Sequence, residues 1–166
     1  MEALLKVRNV LTRILEWVLI LAVLFLVLDV VWGVFTRYVL GEQAKWTEEL
    51  ARFLLIWVAL IGSALAFGAK AHLGVDYFVQ QLHPDARRLM AITSHLVVLF
   101  FATSIFVVGG IQVVMDALTL DQTTPALGWK MGYVYLALPI SGVFMLIFTL
   151  ENLVETLQAS GEKEEV

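Results

Sequence analysis

The chain has 166 residues, 60% of them hydrophobic, and a formal net charge of −4 at pH 7. A mean hydropathy of +0.86 leaves little polar sequence for a water-soluble domain, so we expect an integral membrane protein. Cysteine is absent, which excludes disulfides and thiolate metal sites.

Four apolar stretches of roughly spanning length predict the fold. They cover residues 17–35, 53–67, 96–114 and 131–150. A helix needs about 20 apolar residues to cross the hydrocarbon core, so the second stretch must extend to Leu50–Ala69 and include Arg52. The stretches are continuous and do not alternate in polarity, which favours helices over a β-barrel. The sequence predicts an all-α membrane domain of four transmembrane helices over residues 14–155.

The N-terminus precedes this domain as a basic segment. Residues 1–13 alternate apolar and basic positions at helical spacing, which predicts a cytoplasmic helical extension at the membrane surface. The apolar run that follows exceeds a signal-peptide core of about 7–15 residues and lacks a small-residue cleavage site. We therefore expect it to stay in the membrane as helix 1.

Helix 1 carries an acid, Asp29, about two turns inside its outer end. A carboxylate inside the membrane is costly and is a functional candidate by default. It could serve as a proton or ion ligand, or it could pair with a neighbour or sit protonated inside the bundle. The sequence leaves these interpretations open.

The densest charged group near the membrane opens helix 2. After a connection over residues 37–47, with Gly41 as the helix stop, Thr47 is the predicted N-cap. Glu48, Glu49 and Arg52 follow at spacings that place both carboxylates near the guanidinium. Trp46, just before them, suits the interfacial belt. The group is either a local salt-bridged helix start or a docking site for another polypeptide.

Between helices 2 and 3 the sequence predicts a short amphipathic helix. Val75, Phe78, Val79 and Leu82 recur at i, i+3, i+4 and i+7, and Pro84 ends the segment. Such a helix should lie in the interface instead of crossing the membrane.

The second half of the chain carries structural signals. The pair Gly109 and Gly110 in helix 3 allows close helix approach, and Pro139 with Gly142 predicts a kink in helix 4. The second outer loop is expected over residues 116–129. Residues 156–166 form an acidic tail that we expect to be solvated in the cytoplasm.

Basic residues predict the orientation. The side of the termini carries Lys6, Arg8, Arg13, Lys70, Arg87, Arg88 and Lys163, whereas the other side carries Arg37, Lys45, Arg52 and Lys130. The positive-inside rule therefore favours both termini in the cytoplasm.

No pattern in the sequence indicates catalysis. His72 and His95 lie toward the same side but at different depths, so a haem held by both is disfavoured. Nucleotide-binding, nucleophile-elbow and HExxH motifs are absent. We expect no enzyme activity, no cofactor and no nucleic-acid partner.

Several segments together resemble one transporter family, the DctQ-type small membrane subunit of tripartite ATP-independent periplasmic (TRAP) transporters. The resemblance covers residues 10–155. It is carried by RYV at 37–39, WTEELARF at 46–53, HLGVD at 72–76, TPAL at 124–127, Tyr133, Tyr135 and LPI at 138–140.

This resemblance implies a four-helix subunit of the bacterial inner membrane bound stably to a large DctM-type subunit. The large subunit would hold the substrate and ion sites and move as an elevator, while a periplasmic DctP-type protein delivers an organic acid, typically a carboxylate. The small subunit would be required for transport but would contain no substrate site.

In that assembly, Glu48, Glu49 and Arg52, with Trp46 and Arg37, would hold the outer ends of helices 1 and 2 and contact the large subunit. The amphipathic segment would anchor the inner leaflet, and the outer loops 37–47 and 116–129 would lie near the docking surface for the periplasmic protein. Two other functions stay open. They are a haem-binding anchor of a respiratory enzyme and a small homo-oligomeric exporter that uses Asp29 as its proton site.

Overall fold

The fold is described from a computed structural model that defines residues 2–42, 44–69 and 83–161. The helices are α1 (Glu2–Val39), α2 (Lys45–Gly68), α3 (Pro84–Phe101), a π-helical segment (Ala102–Gly109), α4 (Gly110–Thr119), α5 (Met131–Tyr135) and α6 (Ala137–Gly161). Within these ranges, four helical stretches are long and apolar enough to cross a membrane. These four spans are Arg8–Val39, Lys45–Gly68, Ala86–Thr119 and Met131–Leu157. The predicted all-α, four-span membrane fold is confirmed. The predicted interfacial helix at Val75–Leu82 and the histidine at 72 lie outside the described residues.

The first span begins further toward the N-terminus than its apolar run. α1 is one helix of 38 residues, which corresponds to about 57 Å at 1.5 Å per residue. It passes residue 13 without a break, so the predicted N-terminal extension and the span form one rod. α1 ends as predicted, because Gly41 adopts a positive φ of +80° just beyond it.

The predicted cap of α2 is wrong by three residues. The N-cap is Ala44, and the Thr47 hydroxyl donates to the Ala44 carbonyl at 2.7 Å. Thr47 is 3% exposed and packs against α1, so its side chain serves the helix crossing and not the helix end.

The helices pack in a sequence that places α6 at the centre. α1 packs chiefly against α2, α2 against α6, and α6 against α3 and the π-helical segment. One buried cluster joins Leu15, Ile61 and Phe148, and a second joins Ala64, Ala102 and Met145. α6 contributes to both clusters, so it holds the bundle together.

Glycines allow the third and fourth spans to approach closely. A Cβ atom at Gly142 would lie 2.6 Å from the Phe106 Cβ, and one at Gly110 would lie 3.0 Å from the Pro139 Cδ. The close approach predicted for Gly110 is therefore found. The break predicted near Pro139 lies at Leu136, between α5 and α6, because proline clashes with the carbonyl four residues earlier.

Candidate functional site

Two ends of the bundle carry most of its polar contacts. The end that holds residues 40–42 and 120–130 is called the loop face, and the end that holds Arg8 and Glu155 is called the terminal face. At the loop face, α1 and α2 cross closely, because α1 has a glycine at the crossing point. A Cβ atom at Gly33 would lie 3.0 Å from the Thr47 Oγ1. The Thr36 hydroxyl donates to the Gly33 carbonyl at 3.0 Å and accepts from the Ala44 N–H at 3.3 Å. These contacts fix the angle between the two helices where the predicted charged group begins.

Glu49 binds the second loop instead of pairing along its own helix. Its carboxylate accepts the backbone N–H groups of Ala126 and Leu127, each at 2.9 Å. Hydrogen bonds to an ionised acceptor are stronger than neutral ones. The first turn of α2 is thereby tied to a loop 77 residues further along the chain.

The bound loop has a defined shape of its own. Thr124 is buried, its N–H donates to the Trp129 carbonyl at 2.9 Å, and its hydroxyl accepts the Trp129 N–H at 3.1 Å. Gly128 has a φ of +66°, which permits the reversal. Lys130 and Asp121 form an exposed ion pair at 3.1 Å. The loop is thus closed internally and presented as one unit to Glu49.

The remaining predicted site residues line two neighbouring grooves. The loop groove, about 660 Å³, is lined by Lys45, Trp46, Glu48, Glu49, Arg52, Pro125 and Ala126. The α1–α2 groove, about 260 Å³, includes Asp29, Gly33, Arg37, Thr47, Glu48 and Ala51 in its wall.

The local spacing of the charged group does not produce a salt bridge. Among the described residues, no ion pair within 4.0 Å joins Arg52 to Glu48 or Glu49. Arg52 and Glu48 are exposed, and Trp46 is 40% exposed. The structure therefore brings Trp46, Glu48, Glu49 and Arg52 to one groove without joining their charges directly.

Asp29 lies in the wall of the α1–α2 groove. It is 6% exposed, and neither carboxylate oxygen has a hydrogen-bond partner among the described residues. Arg37 lines the same groove, but its guanidinium lies over the Tyr38 ring, 5.9 Å from the centroid. The groove therefore contains an acid without a described counter-charge.

The terminal face has a polar network that sequence reasoning missed. Arg8 donates to the Gly68 carbonyl at 2.6 Å and forms ion pairs with Glu155 at 3.3 Å and Glu151 at 3.7 Å. The Asn152 amide donates to the Phe67 carbonyl at 3.1 Å. The first, second and fourth spans are thus joined at one point. The acids at i and i+4 near the end of the fourth span were the available signal.

Of the two histidines considered for haem, His95 is described and is a helix-packing residue. His95 is buried on α3, with its Nε2 3.5 Å from the Thr156 hydroxyl of α6. The other histidine of the pair lies outside the described residues, so the haem alternative, which the sequence disfavours, is not tested by the geometry.

Four apolar spans whose ends are tied by polar contacts define the class of this protein, a small multi-pass membrane protein. The chain belongs to the family described as tripartite ATP-independent periplasmic transporters, DctQ component, whose profile matches residues 26–159. The resemblance drawn from the sequence motifs is confirmed, and the chain is a small subunit of a TRAP transporter permease.

Three relatives illustrate the match. The sialic acid TRAP transporter small permease protein SiaQ of Vibrio cholerae is 28% identical, and the alignment covers 88% of this chain and 83% of that relative. The C4-dicarboxylate TRAP transporter small permease protein DctQ of Rhodobacter capsulatus is 29% identical over 63% of this chain and 46% of the relative. The isethionate TRAP transporter permease protein DctMQ of Oleidesulfovibrio alaskensis is 27% identical over 76% of this chain but 20% of that protein.

Proposed function

We propose that this subunit scaffolds a large DctM-type permease subunit in the inner membrane. In this proposal the pair takes up an organic acid, a carboxylate, that a periplasmic DctP-type protein delivers, and an ion gradient drives the transport. Both termini lie in the cytoplasm, as the distribution of basic residues favours.

The observation that carries the proposal is the alignment with the longer relative. There, a segment similar to three quarters of this chain occupies one fifth of a single permease protein. Two parts that are joined covalently in one organism commonly act as a stable complex when they are separate chains. The match therefore supports a permanent assembly of this subunit with a larger permease.

The structure supports a scaffolding role because both ends of the bundle are tied. Glu49 holds the second loop to α2 at the loop face, and Arg8 holds three spans at the terminal face. A transporter that moves one domain through the membrane needs a static frame. Spans that are tied to one another at both ends of the bundle would provide such a frame and widen its contact with the lipid.

The names of the relatives support the substrate class. They name sialic acid and C4-dicarboxylates, which are carboxylates, and isethionate, which is a sulfonate, so two of the three names support a carboxylate. Relatives whose sequences are about equally identical to this chain are thus named for different acids. This pattern supports a specificity that resides in the partner proteins.

The charged group of the loop face has a place in this proposal. Glu49 positions the second loop, which with residues 37–47 would form the docking surface for the periplasmic protein. Trp46 and Arg52 are exposed beside it and would contact the large subunit, with Arg37 at the neighbouring groove.

The test is affinity purification of the tagged chain expressed from its native locus, followed by mass spectrometry. We expect a stoichiometric multi-span permease in the eluate and acid uptake only when both subunits are reconstituted together. Recovery of a haem or flavoprotein subunit, or of this chain alone as an oligomer, would refute the proposal.

A further inference from the structure

We propose that the α1–α2 groove receives a basic side chain, an arginine or lysine, from a membrane helix of the large subunit, and that Asp29 is its counter-charge. This inference rests on the proposed function and names one contact within it.

Asp29 is a buried acid that lacks a partner among the described residues. Its side chain is 6% exposed and both oxygens lack a hydrogen-bond partner in the described part of the chain. Acids in membrane spans generally face protein or water and pair with another group. A buried carboxylate without a partner is destabilising, so a counter-charge from outside the chain would relieve this cost.

No ion pair within 4.0 Å joins Asp29 to another described residue of the groove. Arg37 lies eight residues further along α1, about 12 Å along the helix axis, and stacks on Tyr38. The Thr47 hydroxyl is committed to the Ala44 carbonyl. Gly33 and Ala51, which also line the groove, have no polar side chain.

The size and charge of the groove suit a cationic side chain. Its volume of about 260 Å³ is several times the roughly 30 Å³ that one water molecule occupies, so a long side chain fits. Glu48 and Arg37 also line the groove, so the lining carries two acids and one basic residue. Complementary charge of this kind favours a cationic occupant and orients it.

The surface beside the groove is apolar and exposed. Val30 and Val34 line it and are 49% and 52% exposed. Among the described residues α1 packs chiefly against α2, which leaves an apolar face of α1 uncovered where a further membrane helix can lie. A helix seated there would place a basic side chain next to Asp29.

The test begins with co-expression of the tagged subunit and the permease that co-purifies with it. Asp29→Asn should reduce the amount of large subunit retained after a stringent detergent wash by at least about tenfold. Glu16→Gln is the matched control, because it removes an exposed acid from the same helix away from the groove, and it should retain the wild-type amount.

The stability of the isolated subunit distinguishes a contact role of Asp29 from a structural role. Asp29→Asn removes an unpaired buried acid, so the thermal midpoint of the isolated subunit should stay the same or rise while the complex weakens. A lower midpoint together with a proportionate loss of complex would show a structural role and overturn the inference.

A unique thiol gives a direct readout, since the chain has no cysteine. In Val34→Cys, at a groove-lining position that is 52% exposed, maleimide should label position 34 in the isolated subunit and be blocked in the complex. Asp29→Lys should lose the large subunit, and acidic replacement of one basic residue in that subunit's membrane helices should restore it. Equal labelling in both samples would overturn the inference, whether water or lipid fills the groove.

The two proposals fail differently. If the wild-type chain recovers no large subunit, the proposed function is wrong. If the wild-type chain recovers it and Asp29→Asn retains it equally well, only the groove assignment is wrong.

Discussion

Replacing Arg8 should destabilise the isolated subunit more than any other change to an exposed or half-buried charge. Its guanidinium joins the Gly68 carbonyl, Glu155 and Glu151, and thus the ends of three spans. A hydrogen bond from a charged donor contributes about 1.5–3 kcal/mol, and the partly exposed ion pair with Glu155 adds less than about 1 kcal/mol. We therefore expect Arg8→Ala to lower the free energy of unfolding by about 2–3 kcal/mol.

The assay is reversible unfolding in mixed micelles, followed by tryptophan fluorescence. Arg13→Ala is the matched control, because Arg13 is an exposed basic residue on the same helix. Arg8→Lys should recover part of the loss, since an ammonium cannot make the forked contacts of a guanidinium. Glu151→Gln added to Arg8→Ala should also recover part, because it removes the acid left without a partner. Equal stability of Arg8→Ala and Arg13→Ala would refute this account of the terminal face.

Three further predictions concern the loop face and the helix packing. Glu49→Gln should speed hydrogen exchange at the two loop amides that it binds, while Glu48→Gln should leave them unchanged, as measured by mass spectrometry. Gly142→Ala should destabilise the subunit by about 1–3 kcal/mol, because the added methyl would lie 2.6 Å from a side chain of the third span. Gly109→Ala, where the nearest atom lies at 3.5 Å, should cost less in the same unfolding assay. Gly41→Ala should cost about 1 kcal/mol through its positive φ alone, since its surroundings are open.

The spans were predictable because a bilayer imposes a simple rule of length and apolarity. Gly41 as a helix stop and the break before Pro139 were predictable for the same kind of reason, since backbone restrictions act within a few residues. The π-helical segment Ala102–Gly109 was not predictable, because no proline and no internal glycine marks its start. It forms where Phe106 and Val107 pack onto Gly142, which is a tertiary cause.

The site was predicted in composition but not in its bonds. Helical spacing drew attention to Glu49, yet that spacing pointed to Arg52 as its partner. The structure gives Glu49 two amides that lie 77 and 78 residues away. Arg8 was counted only as an orienting charge, because its acceptors lie 60 to 147 residues further along the chain. Helical periodicity reports neighbours within a helix, so contacts between spans are beyond its reach.

Three charged side chains of the described chain differ in whether they have partners within it. Arg8 has three partners and Glu49 accepts two loop amides, whereas Asp29 has no hydrogen-bond partner among the described residues. Asp29 is buried whereas Arg8 and Glu49 are half-buried, so a missing partner is most costly at Asp29. If the partners of Arg8 and Glu49 are internal and that of Asp29 is external, the variants must separate in paired assays. Arg8→Ala should lower the stability of the isolated subunit, and Asp29→Asn should weaken only the complex. If the same variant were the more damaging one in both assays, this division between internal and external contacts would be wrong.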